Sequence, residues 1–120
     1  MITPLACSLD GQQIMVRLAP NSRLADLYGT DAARELTTCN YGLAADFADL
    51  ATSHGMQCAA TEADGAVRAV ERIDHPFFLA TLYQPQLRSR PDAPHPVFLG
   101  LLRAALRAWG ADAPASDGAD

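Results

Sequence analysis

The chain has 120 residues, 49% of them hydrophobic, and a formal net charge of −5. That length suits one small domain with a modest core, and the apolar fraction excludes a wholly disordered chain. The nine basic residues are all arginine and form no basic cluster, which excludes nucleic acid as a partner.

No run is apolar enough to span a bilayer and nothing at the start reads as a signal peptide, so no membrane partner and a cytoplasmic location are expected. The three cysteines show no C-x-x-C spacing, and the three histidines are scattered. A disulfide framework, a metal site or a bound cofactor is therefore not expected.

In chain order, Met1 to Leu9 is apolar and ends at the turn pair Asp10-Gly11. Gln12 to Leu18 alternates, with Ile14, Val16 and Leu18 on one face of a strand. Asn21 or Ser22 can cap a short helix from Arg23 to Tyr28, which Gly29 ends. Asp31 to Leu43 carries the least ordinary residues. Ala44 to His54 reads as a helix with Phe47, Leu50 and Ala51 on one face. Met56 to Thr61 and Ala66 to Arg72 form a hairpin about Glu62-Ala63-Asp64-Gly65, with Cys58 in the core.

Phe77 to Tyr83 reads as a strand buried on both faces, bounded by Pro76 and Pro85. His75 and His95 each precede a proline at an element boundary, where capping and turn formation are the expected roles. A last helix starts at Pro96, with Phe98, Leu101, Leu102, Ala105, Leu106 and Trp109 as its core stripe. Residues 110–120 read as a disordered tail.

Several of these stretches resemble the C-terminal half of a class I glutamine amidotransferase domain, as found in the CTP synthase C-terminal region. The resemblance covers residues 1–109. It rests on Tyr28-Gly29, on Glu35 and Tyr41, on Asp74-His75-Pro76, on Tyr83-Gln84-Pro85-Gln86, on Arg88-Ser89-Arg90-Pro91, and on His95-Pro96-Val97-Phe98. It implies an α/β fold: a partial, flavodoxin-like three-layer sheet with a β-hairpin, lacking the N-terminal half. Where that family reads F-H-P-E, with the catalytic His and its Glu, this chain has Gln84 and Gln86. Where the family has the arginine that pairs with the glutamine carboxylate, it has Asn40. The nucleophile elbow, G-x-C-x-G, does not occur in the chain.

The resemblance implies a substrate region at Asn40, Gln84 and Gln86. Glu35 and Tyr41 read either as groups that support it or as a salt bridge and a core aromatic, and Cys7 either lines the same crevice or is a buried small residue. A distinct group related to the CTP synthase C-terminal region, which the chain also resembles, keeps Cys-x-Tyr-Gly here. Cys39-Asn40-Tyr41-Gly42 fits that pattern, and Cys39 is the candidate catalytic nucleophile. An amide cannot serve as a general base, so Gln84 and Gln86 read either as hydrogen-bonding ligand groups or as solvated loop residues.

Two functions stay open. One is a glutaminase-related protein of pyrimidine nucleotide biosynthesis with a degenerate active site, in which any remaining amide-hydrolysing or amido-transfer chemistry runs through Cys39. The other is a non-catalytic binding or assembly module. The expected partners are glutamine or a related small amide, and a second chain or copy that completes the sheet. A start within the apolar stretch Met1-Ile2-Thr3-Pro4-Leu5 reads as a fragment or a split protein.

Overall fold

In the computed structural model, residues 2–4, 12–38 and 41–112 are described. Among the described residues, seven strands form one sheet flanked by three helices and a 3-10 turn. The strands are β1 (Ile2–Pro4), β2 (Gln12–Leu18), β3 (Ala32–Thr37), β4 (Tyr41–Leu43), β5 (Met56–Thr61), β6 (Val67–Arg72) and β7 (Leu79–Thr81). The helices are α1 (Arg23–Tyr28), α2 (Ala45–Ser53) and α3 (Pro96–Asp112), and the 3-10 turn is Pro85–Arg88. Strand order is β1-β4-β6-β5-β2-β3, with β7 also paired to β6. Every pairing among the described strands is antiparallel.

The core follows the alternation in β2. Ile14, Val16 and Leu18 are buried while Met15 and Arg17 face water, as a pleated strand with one covered face requires. They pack with Leu24 of α1, Ala59, Ala60, Ala69, Tyr83 and Val97 of α3. Gln57 and Glu71 lie beneath the start of α1, whereas Met56 and Val70, one position along each strand, line a cleft with Phe47 and Leu50 of α2. Side-chain alternation therefore places α2 across the sheet from α1 and α3, giving three layers.

Helix α1 is only six residues long and is held by its ends. Ser22 Oγ accepts from the Ala25 amide at 3.0 Å. Glu71 accepts from the Arg23 and Leu24 amides at 2.9 and 3.2 Å. That carboxylate satisfies otherwise orphaned donors at the positive end of the helix dipole. Gly29 closes the helix with φ +69°, and its amide donates to Ala25 O.

Both His-Pro pairs cap in one way. Phe77 N donates to His75 Nδ1, and Val97 N donates to His95 Nδ1, each at 3.1 Å. Proline has no N–H, so the imidazole takes the next amide in the chain.

Two expectations about burial are corrected. The expected buried strand Phe77–Tyr83 is three residues of β7, and Leu79 to Thr81 run intermediate, exposed, intermediate. It shares the edge of β6 with the short strand β4, so only part of it is covered. In α3 most of the expected core stripe faces water: Leu101 is 49% exposed, Leu102 and Leu106 60%, and Trp109 70%, whereas Phe98 is half-buried against the His95 ring. The buried face is Val97, Gly100 and Ala104. The short α1 is its neighbour, and it approaches closely: a Cβ at Gly100 would lie 2.5 Å from Leu27 Cδ2. Small residues win that contact face because the larger ones would hold the helices apart. Helix α3 also continues through Gly110 to Asp112, into the stretch expected to be a tail.

Cys58, expected in the core, is half-buried at the sheet face toward α2. Its thiol is pushed up by burial, with a further push from Asp49.

Candidate functional site

Two polar clusters lie where the polypeptide leaves β7, the first partly exposed and the second buried. The first lies at the strand's carboxyl end. Gln84 N donates to Leu36 O at 3.1 Å, and Gln84 Oε1 accepts from the Thr38 amide at 2.7 Å. Arg68, completely buried on β6, sends one guanidinium nitrogen to Leu82 O at 2.6 Å and to Thr37 Oγ1 at 3.2 Å. Its other terminal nitrogen donates to Tyr41 O at 3.2 Å. Thr37 Oγ1 in turn donates to Leu82 O at 3.3 Å. The ends of β3, β4 and β7 are thus tied together by one arginine and one glutamine.

The second cluster lies behind Tyr83, next to Gln84 in the chain. His95 Nε2 is 2.7 Å from Glu35 Oε1, and Tyr28 Oη donates to the same carboxylate oxygen. Tyr83 Oη lies 3.1 Å from Tyr28 Oη. Because His95 Nδ1 already accepts the Val97 amide, the imidazole proton sits on Nε2 and is donated to Glu35. Glu35 Oε2 is buried without a hydrogen-bond partner among the described residues. Burial, then the nearby Tyr83 and Glu35, drives the Tyr28 phenol far above its usual range. Burial also pushes Tyr83 up to about 12.

Of the sequence candidates, Gln84 is the one whose side chain the structure places in the strand-end cluster. Tyr41 joins it through its backbone carbonyl, and its side chain is half exposed. Gln86 projects to solvent from the 3-10 turn. Glu35 is withdrawn from solvent into the His95 cluster and does not line the strand-end site. Cys7, Cys39 and Asn40 lie outside the described residues. Among the described residues no group of three His, Cys, Asp or Glu side chains could hold a metal ion. No described helix is long and apolar enough to cross a membrane.

Arg68 was not singled out in the sequence, although a signal was there. In Val67-Arg68-Ala69-Val70 a lone arginine sits within an apolar strand, and a buried charge requires partners.

Comparison with known proteins places this geometry. The chain is 40% identical over 99 residues to CTP synthase of Thermosynechococcus vestitus, covering 82% of this chain and 18% of that protein. It is 36% identical over 90 residues to the Brucella ovis CTP synthase, covering 74% of this chain and 17% of the relative. The chain is a homologue of part of CTP synthase. It spans less than a fifth of the length of these relatives. Its fold matches the Trypanosoma brucei CTP synthase glutaminase domain, solved with bound acivicin. That match has a TM-score of 0.74 at 24% identity and covers 79% of this chain and 39% of the other. No protein-family model matches the chain.

Proposed function

We propose that the strand-end site of this CTP synthase homologue binds glutamine or a related small amide and does not hydrolyse it by a histidine-dependent route. One observation carries the reading. At the position where the resemblance puts a general base stands Gln84, whose amide oxygen is engaged by the Thr38 amide. An amide group does not titrate near neutrality and so cannot remove a proton from a nucleophile. It can still offer a donor to a ligand carbonyl. Gln86, at the position of the catalytic Glu, is exposed, and its neutral amide brings no charge with which to orient a base. Pyrimidine nucleotide biosynthesis is the setting that the relatives suggest.

L-Glutamine added to isotopically labelled protein is expected to shift the Thr38 amide and Gln84 side-chain amide resonances, with an affinity of about 1 mM or tighter. Gln84→Ala should abolish the response. Unchanged spectra for the wild type would overturn the reading.

The assembly reading is favoured by a different feature. A cleft of about 150 Å³ lined by Ile2, Leu43, Val67, Ala80 and Leu82 opens beside β7, and Ile2 is 54% exposed. A partner chain or second copy could cover it. Sedimentation of the purified chain as a monomer at all concentrations would remove this reading.

A further inference from the structure

We infer that Arg68 is the positioning residue of the strand-end site, holding the flanks of the β3–β4 connection against the carboxyl end of β7. The role attaches to the small-amide site proposed above, but its argument stands on geometry alone. Arg68 is 0% exposed, and its terminal nitrogens reach three separate segments: Leu82 O, Thr37 Oγ1 and Tyr41 O. Only the planar fork of a guanidinium offers donors in directions that span such a gap; an ammonium is a compact point charge.

The charge is also weakly compensated. Its Nε is buried without a hydrogen-bond partner among the described residues, and Glu62 Oε2 lies 3.7 Å away. Glu62 is itself pushed up by burial, against the pull of Arg68. A buried cation stabilised mainly by carbonyl dipoles is an expensive way to fill a core. Holding a site in register gives that expense a use.

The backbone bonds nearest the fork are the measurable consequence. The Thr38 amide donates to Gln84 Oε1, and the Gln84 amide donates to Leu36 O. The Leu18 amide, bonded to Asp31 O at 2.8 Å at the far end of β3, serves as the control. In Arg68→Met, hydrogen exchange at the Thr38 and Gln84 amides should rise about tenfold, while Leu18 stays within about twofold. Arg68→Lys keeps the charge without the fork and should restore only part of the protection.

Equal acceleration at all three amides would reduce Arg68 to a general contribution to stability and overturn the inference. Unchanged exchange at Thr38 and Gln84 would also overturn it. Should Arg68→Met fail to fold, the Lys variant decides by the same comparison. The glutamine titration of the wild type is read separately: no glutamine response with local exchange at Thr38 would sink the ligand and leave the positioning role standing.

Discussion

Glu35→Ala is expected to destabilise the protein by about 3–5 kcal/mol, because it leaves two buried donors without their acceptor, at about 1–3 kcal/mol each, and adds a void. Glu35 Oε1 is the acceptor shared by His95 Nε2 and Tyr28 Oη, and Tyr28 in turn meets Tyr83. The substitution leaves a buried imidazole N–H and a phenol without their acceptor, and it opens a void where β3, α1 and α3 converge. Small domains have about 5–15 kcal/mol in total, so such a loss would leave the chain close to unfolding. Glu35→Gln keeps the shape and an acceptor oxygen, and should cost about 1–2 kcal/mol. Urea denaturation of the three proteins measures both values. A Glu35→Ala midpoint equal to the wild type's would show that the cluster does not hold these elements together.

The same cluster should make the protein sensitive to alkali. Tyr83 is raised from 10.0 to about 12, chiefly by burial, and Tyr28 is raised further. A folded state with a raised phenol pKa keeps a proton that the unfolded chain has released. The contribution is therefore fully present below about pH 10 and is lost as pH rises toward 12. For Tyr83 the loss amounts to about 3 kcal/mol across that window. Urea midpoints measured from pH 8 upward should fall steeply beyond pH 10, and less steeply in Tyr83→Phe. A flat profile through that range would contradict the buried-phenol assignment.

The parts of the fold that local rules govern were legible in the sequence. Strand β2 was readable from Ile14, Val16 and Leu18, and α1 from Ser22 and Gly29, because alternation and caps act over a few residues. The His-Pro pairs were readable as caps, since proline withholds a donor that a neighbouring imidazole can replace. Burial in β7 and α3 was not readable, because it depends on what lies opposite. An apolar run such as Phe77 to Tyr83 looks the same at a sheet edge as at its centre. Helical spacing gave α3 an apolar face but could not reveal that Gly100 and Ala104 would be the side touching α1.

The site divides in the same way. Gln84 was found through resemblance to a known motif. Glu35 was also placed beside the substrate region by that route, with a structural ion pair as the alternative reading, and its carboxylate turns inward to pair with His95, 60 residues away in the chain. Arg68 was missed because its three acceptors come from segments that meet only in the folded sheet.

The central proposal is that this homologue keeps a glutaminase-domain framework that binds glutamine without hydrolysing it. The most direct test is ammonia release from L-glutamine by the purified chain, wild type beside Cys39→Ala. The account predicts no release above the protein-free background from either protein. Ammonia produced by the wild type and lost in Cys39→Ala would contradict it, showing that a thiol works here without a histidine at position 84.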